Sequence, residues 1–388
     1  MKPFREQVSR LIDALALPIG LALLALLVAW HAVSLRAYAQ AGSHDFRILY
    51  EATSEFWTGR SLYAARTAHA NLNPPHFHLL ILPFTVLPQR AAFWIWTAAN
   101  VIGLALSVAI IRRELVPSPS LVAWLWLANA ALMFAGTAAA LWTGQTALLL
   151  MWPATLAWRA ARRGDWMRTG ALIGVLMALK PFLGIFVPFW ILARHRRALA
   201  GAVLAVSASF LVGVVVFGIA EHARWLQTLS AVDWAGEPWN ASLLAPIART
   251  TGDARAPVVK MVWLVAAALV ALASLARALA FDRTGATDRA LACLFVGALL
   301  ASPLGWIHYL WWGAGPVAAT LVQDRSRTIH GWRGIASTGA LLGLLSPPFV
   351  LGLWAAHAWG RAVFGSAYFW GLLALWMLMM VAPPRAAS

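Results

Sequence analysis

A single acidic residue, Asp45, opens an amphipathic stretch in the first polar segment of the chain. Phe46, Leu49 and Tyr50 follow it at helical spacing, which predicts a helix that lies on a membrane surface and ends at Gly59. The Asp45 carboxylate then has two possible uses. It can cap the first turn by accepting backbone N–H groups, or it can act as a general base on a substrate hydroxyl.

Lys180 is a cation in strongly apolar sequence, between residues 172–179 and 182–189. A lysine at the centre of a bilayer costs roughly 2.5 to 3.5 kcal/mol on translocon scales, so its ammonium should face a wet cavity or an anionic partner. A phosphate group is one such partner. The alternatives are a structural ion pair and a side chain that reaches the membrane interface.

A second polar stretch, residues 220–257, is rich in Trp and in polar side chains and is too long to be a turn. Asn240 and Ser242 offer amide and hydroxyl groups there. The guanidinium of Arg249 has the geometry for bidentate hydrogen bonding to a phosphate. The alternative is an ordinary contact with lipid head groups.

Residues 302–309 interrupt a hydrophobic region with Pro and Gly and leave His308 at its edge. Broken helices in membrane proteins often line binding sites, so His308 is a candidate site residue. An interfacial imidazole held by hydrogen bonds is the alternative.

Several classes of site are missing from the sequence. There is no Walker loop, no GxSxG elbow, no Cys/His zinc cluster and no Asp-x-Asp pair, so a soluble nucleotide donor is not expected. His76 and His78 are two residues apart and would point from different helix faces, with no third ligand nearby. Cys293 is the only cysteine, which excludes an intrachain disulfide. We therefore expect neither a metal nor a bound cofactor.

The composition of the chain indicates which secondary-structure elements position these residues. Of the 388 residues, 61% are hydrophobic and 11% are charged, whereas an ordinary soluble domain has roughly 25% charged residues. Runs that approach the ~20 residues needed to cross a bilayer occupy residues 14–35, 91–111, 121–141, 198–219 and 335–354, with shorter candidates at 258–275, 290–303, 310–322 and 363–381. We predict a single all-α polytopic membrane domain, residues 1–388, with about twelve helices, because these runs lack the alternation of a transmembrane barrel.

The net charge of +16 is carried by basic clusters between the apolar runs. This placement indicates membrane topology and contact with anionic lipids, and it argues against a nucleic-acid partner. A basic amino end inside would place residues 36–75 and 220–257 on the outer face as two larger loops. The alternative, a cleaved signal peptide ending near Ala37-Tyr38-Ala39, is disfavoured because the first run is long enough to span.

Two threadings of the middle of the chain remain open. Residues 77–87 are short for a span, and residues 170–193 form either one kinked helix or a shallow hairpin at Lys180-Pro181. If both segments cross once, the basic loop around Arg162 lies outside. The other threading places that loop inside, as the positive-inside rule favours.

The order and spacing of the motifs resemble glycosyltransferase family 87, whose members are polytopic GT-C enzymes that use polyprenyl-phosphate sugars. The resemblance covers roughly residues 45–312. Its motifs are Asp45 with Tyr50, Gly59 and Tyr63, the prolines Pro74, Pro75, Pro83 and Pro88, Gly144-Gln145, Gly170, Gly174, Lys180-Pro181, Asn240-Ala241-Ser242, Arg249, and residues 302–308.

Two positions depart from the family pattern. Asn73 stands where a tyrosine often precedes the paired prolines, and Trp306-Ile307-His308-Tyr309 stands where Trp-Asp-His-His is common.

The resemblance implies a GT-C-like helical bundle in the bacterial inner membrane with its active site on the extracytoplasmic face. Asp45 would be the general base of an inverting, metal-independent transfer of a mannose- or pentose-like sugar to a glycan or glycolipid acceptor. The residues expected to bind the donor phosphate or another part of the substrates are Lys180, Arg249, His308, Asn240, Ser242, Gln145 and Tyr50.

Two other classes of function compete with this one. A lipid-phosphate flippase or transporter would use Lys180 and Arg249 to bind phosphate for translocation, but such proteins often contain repeats, and no clear repeat is found. An interaction scaffold would use the polar loops as a docking surface, and single substitutions there would have little effect.

Overall fold

Long apolar segments of the chain form α-helices. The computed structural model describes residues 2–41, 44–64, 71–116, 120–229, 234–324 and 365–381, together with residues 337, 339, 340, 344, 360 and 363. The α-helices in the continuous ranges are α1 Lys2–Ala41, α2 His44–Ser54, α3 Gln89–Leu115, α4 Leu121–Met133, α5 Ala135–Thr143, α6 Ala147–Arg162, α7 Trp166–Leu179, α8 Phe186–Leu192, α9 Arg196–Phe217, α10 Ile219–Thr228, α11 Leu244–Thr251, α12 Pro257–Arg283, α13 Thr287–Ala301, α14 Ala314–Asp324 and α15 Ala367–Met380. No β-strand occurs in these ranges.

Four of the described helices are long and apolar enough to cross a membrane: Leu15–Ala41 of α1, and α3, α9 and α12. Large apolar side chains project outward from α9 and α12, and Val215 and Leu204 are 84% and 65% exposed. Such a surface is stable in lipid and not in water. The prediction of a helical membrane protein is confirmed, whereas the count of about twelve helices is not. Most of the predicted span at residues 335–354 lies outside the described residues.

The centre of the bundle is α13, whose residues are buried from Asp288 to Leu300. It packs against α12, α14 and α15. A helix that is mostly apolar on all sides belongs in a protein interior, as α13 does.

The predicted span at residues 121–141 is interrupted. Phe134 is extended, with ψ 127°, and separates α4 from α5. The Ala131 carbonyl, close to this break, accepts a hydrogen bond from the Thr137 hydroxyl. A side-chain donor of this kind satisfies a backbone group that lipid could not.

The helix that carries Asp45, expected to lie on the membrane surface, packs its apolar face against the protein. Phe46 and Leu49 on its apolar face are 0% and 4% exposed. The Phe46 ring packs 5.6 Å from the Phe93 ring and 6.1 Å from the Trp96 ring of α3. Gly59 follows the 3₁₀ turn after α2 with φ 71°, which confirms its predicted role as the terminator. The apolar face of α2 is therefore part of the protein core.

Residues 77–87 do not form a membrane-spanning helix. They form two short 3₁₀ helices, Pro75–Leu80 and Leu82–Val86. At one end His78 is hydrogen-bonded to Thr53, and at the other the Leu87 carbonyl accepts from Tyr50. Thr53 and Tyr50 are one turn apart on α2, so the segment returns to the end of the bundle where it begins.

The chain reverses direction at Lys180. Helices α7 and α9 run parallel in close contact, because Gly170 lies against Ala198 and Gly174 lies against Ala202. The intervening segment Pro181–Leu192 must then return to the end where α7 starts. Stacking of His195 on Trp166, with ring centroids 3.6 Å apart, confirms this return. Of the two possibilities for residues 170–193, the structure has the hairpin.

The two polar segments meet at one end of the bundle, and the basic loop around Arg162 lies at the other. Glu221 of α10 accepts hydrogen bonds from Ser61 and from the Leu62 backbone, which joins the segments. At the opposite end of α6, Arg162 belongs to an arginine cluster around Glu114. This arrangement matches the threading that the positive-inside rule favours.

We expect Gly170→Ala to lower the midpoint of thermal unfolding. A Cβ at Gly170 would lie 1.8 Å from the Ala198 carbonyl oxygen, so α7 and α9 would have to separate. Overpacking of this kind costs about 1 to 3 kcal/mol. Tryptophan fluorescence of the purified protein in detergent measures the midpoint. Gly184→Ala is the matched control, since its Cβ would meet no atom within 4 Å. Equal midpoints for the two variants would contradict this packing.

Single introduced cysteines test the topology. The side chains of Arg60 and Arg163 are 63% and 57% exposed, at opposite ends of the bundle. Cys293 is fully buried and should not react. We expect a membrane-impermeant maleimide to label Arg60→Cys and Arg163→Cys from opposite sides of sealed vesicles. Labelling of both from one side would refute the hairpin threading.

Candidate functional site

Asp45 and Gln145 are brought together by the contact of α2 with the end of α5. The Gln145 side-chain nitrogen donates to Oδ2 of Asp45 at 2.8 Å. Gly144 ends α5 with φ 72°, and a Cβ there would lie 2.5 Å from the Phe46 Cβ. Only glycine permits both that conformation and that approach. Asp45 is the second residue of α2, inside its first turn, and its carboxylate is directed to Gln145.

Lys180 terminates α7 in an extended conformation, as a residue before proline prefers. Its Nζ donates to Oδ1 of Asn73 at 2.7 Å. It also lies 5.2 Å and 5.3 Å from the ring centroids of Phe77 and Tyr309. Among the described residues no carboxylate pairs with Lys180, although Asp45 is within electrostatic range. The structural ion pair considered for Lys180 is therefore not found there.

Polar atoms without partners lie beside this cation. His308 is 3% exposed and Tyr309 is 4% exposed, and their rings pack edge to face with centroids 4.4 Å apart. The two ring nitrogens of His308 have no hydrogen-bond partner in the described part of the chain, and the Tyr309 hydroxyl has none there either. Buried polar groups are normally satisfied, so these atoms are candidates for hydrogen bonds to a polar ligand or to water.

The sequence reasoning missed Asn71 and Asn73. Asn73 binds Lys180 directly, and Asn71 joins Asn73 to His78. Two of the five asparagines in the chain stand within three residues, immediately before paired prolines and near an apolar segment. That concentration of amides is the sequence feature that could have indicated a polar site here.

Arg249 is held by the second polar segment itself. Its guanidinium donates to the carbonyls of Gly236 at 3.0 Å and Asn240 at 2.8 Å, to the carbonyls of Glu237 and Pro238, and to the Ser366 hydroxyl. The side chain is 6% exposed. Burial lowers the pKa of Arg249 to about 10, and Glu237 opposes that shift, so the group stays cationic at neutral pH. This geometry closes the loop and leaves no open fork for a phosphate.

Asn240 and Ser242 connect that loop to the chain break before His308. Asn240 Oδ1 accepts from the backbone N–H groups of Ser242 at 3.1 Å and Gly305 at 2.9 Å. The Ser242 hydroxyl donates to the Pro303 carbonyl. Asn240 also forms an isolated antiparallel bridge with Trp306. Both side chains are fully buried, so they position the backbone that presents His308.

Tyr50 has a similar anchoring contact, since its hydroxyl donates to the Leu87 carbonyl at 2.6 Å. The predicted residues therefore separate into two groups. Asp45, Gln145, Lys180 and His308 contribute to a candidate site in which charged and unpartnered groups converge. Tyr50, Asn240, Ser242 and Arg249 make contacts that shape the surrounding backbone.

Comparison with known proteins identifies the family. The model of glycosyltransferase family 87 matches residues 71–303, which is more than half of the chain. The chain belongs to glycosyltransferase family 87. It is thus a membrane glycosyltransferase, and the resemblance predicted from the motifs is confirmed.

Two curated mycobacterial proteins are similar to the chain. Each carries the description polyprenol-phosphate-mannose-dependent alpha-(1-2)-phosphatidylinositol mannoside mannosyltransferase. The protein of Mycobacterium tuberculosis is 26% identical over 90% of this chain and 88% of its own length. The protein of Mycolicibacterium smegmatis is 25% identical over 58% of this chain and 53% of its own length. No solved structure matches the chain.

We expect Arg249→Lys to destabilise the protein without raising the KM for a sugar donor. Lysine cannot donate to all of the carbonyls that Arg249 binds, and each buried group left unpaired costs about 1 to 3 kcal/mol. The midpoint of thermal unfolding and the donor KM are measured together. Arg47→Lys is the control, because Arg47 is 54% exposed in a surface ion pair with Glu51. Unchanged stability with a higher donor KM would instead make Arg249 a phosphate ligand.

Proposed function

We propose that this chain transfers a mannose- or pentose-like sugar from a polyprenyl phosphate to a glycan or glycolipid acceptor. The transfer is inverting and metal-independent, and it takes place at the outer face of the bacterial inner membrane. The proposal rests on the family membership and on the donor named in the descriptions of both mycobacterial relatives.

One feature of the site carries the proposal: a carboxylate and a lysine ammonium lie within electrostatic range of each other but are not paired. Asp45 is within electrostatic range of Lys180 and of Tyr309. Each charge is bound by the neutral side chain of another residue, Gln145 or Asn73. A base and a cation are thus both available to substrates.

The chemistry follows from this separation. The acceptor hydroxyl attacks the anomeric carbon of the donor sugar while Asp45 takes its proton. The bond from the anomeric carbon to the phosphate oxygen breaks, and the electron pair leaves with the polyprenyl phosphate. Lys180 stabilises the charge that develops on that phosphate, because a cation in a partly buried site acts strongly at short range.

Gln145 and His308 have supporting roles in this scheme. Gln145 holds Oδ2 of Asp45 and orients the carboxylate toward the acceptor. The unpartnered ring of His308 and the Tyr309 hydroxyl supply hydrogen bonds to the phosphate or the sugar. Arg249, Asn240, Ser242 and Tyr50 act by fixing the backbone around these groups.

The test compares Asp45→Asn with the parent protein. Purified full-length protein is incubated with a radiolabelled polyprenyl-phosphate sugar, mannose or pentose, and a glycolipid acceptor. Asparagine retains the shape and the partner for Gln145 but is a very weak base, so we expect a loss of kcat/KM of about 10² to 10⁴-fold. Full activity in Asp45→Asn would overturn the assignment of the base.

Asp253→Asn is the matched control for this experiment. Asp253 is an exposed aspartate of the second polar segment whose Oδ1 accepts from the Arg255 backbone. We expect its kcat/KM to stay within about twofold of the parent, as for most surface substitutions. A parent protein that transfers no sugar, yet moves polyprenyl phosphate across proteoliposomes, would support the transporter function instead.

A further inference from the structure

A continuous chain of polar side chains joins helix α2 to Lys180. It begins at Thr53, whose hydroxyl donates to the Leu49 carbonyl at 2.6 Å and also contacts Nδ1 of His78 at 2.6 Å. The hydroxyl has one proton, already used on Leu49, so Nδ1 of His78 must carry a proton and donate it to Thr53. The neutral ring then has a bare Nε2.

Asn71 continues the chain in the direction that this tautomer requires. Its Nδ2 donates to Nε2 of His78 at 2.8 Å. Its Oδ1 therefore faces Asn73, where it accepts from the backbone N at 3.1 Å and from Nδ2 at 3.4 Å. With its nitrogen turned toward Asn71, Asn73 presents Oδ1 to Lys180.

The burial of this network of side chains restricts how its hydrogen-bond donors and acceptors can be arranged. Thr53 and His78 are 0% exposed, and Asn71 is 7% exposed. A reversed Asn73 amide would set its NH₂ group against the Lys180 ammonium, donor against donor. Buried polar groups without partners are costly, so only one arrangement satisfies every member.

We propose that Asn73 is a positioning residue for Lys180, kept in orientation by Thr53, His78 and Asn71. This network of side chains connects the helix that carries Asp45 to the cation that receives the donor phosphate. Because Asn73 is neutral, it fixes the ammonium without cancelling its charge. This inference rests on the proposed function, in which Lys180 binds the phosphate of a polyprenyl-phosphate sugar.

A double-mutant cycle separates positioning from general support of the fold. Asn73→Ala removes the hydrogen bond, and we expect kcat/KM for the polyprenyl-phosphate sugar to fall roughly 10- to 100-fold, the range for a hydrogen bond to a charged group. In a Lys180→Met background Asn73→Ala should add less than about a twofold loss, because a residue that acts through Lys180 has nothing left to position.

Asn73→Asp provides a second readout. Aspartate preserves the shape and the acceptor oxygen but adds a negative charge beside Lys180. We expect the donor KM to rise more than kcat falls, since the ammonium is then paired before the phosphate arrives. A variant equal to the parent in donor KM would contradict the role of a neutral partner.

The end of the network that lies on α2 is tested with a matched pair of substitutions at Thr53. Thr53→Val keeps the shape and removes the hydroxyl, and we expect a loss in kcat/KM of roughly 3- to 10-fold. Thr53→Ser keeps the hydroxyl and should stay within about twofold of the parent. Asn129→Ala is the control for loss of a buried amide elsewhere, since Asn129 bonds to Gly20 between α4 and α1. It should lower the unfolding midpoint and leave donor kinetics unchanged.

The outcomes distinguish this inference from the proposed function. If Lys180→Met transfers sugar as fast as the parent, the assigned donor site is wrong. If Lys180→Met is impaired but Asn73→Ala reduces kcat/KM by the same factor in both backgrounds, the positioning role is wrong and the proposed function stands. Equal losses for Thr53→Val and Thr53→Ser would restrict the role to Asn73.

Discussion

The burial of a lysine charge among apolar helices is the constraint on which the site depends. An ammonium in such surroundings must find acceptors or an anion, because its hydration is lost. The described residues supply Lys180 with one amide oxygen and two aromatic faces, which bind the cation without neutralising it. The hairpin at Lys180-Pro181 brings this cation to the end of the bundle that also holds Asp45. The reversal of the chain is therefore what creates the site.

Arg249 shows the opposite solution to a buried cation. Its guanidinium is surrounded by backbone carbonyls of one loop and by the Ser366 hydroxyl. Those bonds satisfy the planar group and fix the loop, so the charge has a structural use. Among the described residues Lys180 has fewer acceptors, and the polar atoms of His308 and Tyr309, which have no partner there, lie near it. The number of satisfied donors, more than burial, separates the structural cation from the one available to a substrate.

The sequence predicted the parts of the fold that depend on composition and spacing. Apolar runs, the turn at Gly59 and the family motifs were visible because they are local patterns. The packing of α2 into the core could not be predicted, since a lipid-facing and a protein-facing apolar stripe have the same periodicity. The broken span at Phe134 and the network through Asn71 and Asn73 depend on partners far away in sequence, and no local pattern specifies them.

Opposite charges lie within electrostatic range of each other in this site without forming an ion pair. Direct contact of Asp45 with Lys180 would stabilise both charged forms, which weakens the carboxylate as a base and reduces the attraction of the ammonium for phosphate. Two amides bind these charges separately, with complementary polarity. Gln145 presents its NH₂ group to the carboxylate, and Asn73 presents its carbonyl oxygen to the ammonium. Each charge has a hydrogen-bond partner and still retains its charge. An amide is the side chain that can do this for either sign, which gives a physical reason for the glutamine and the asparagine to stand beside these two charges.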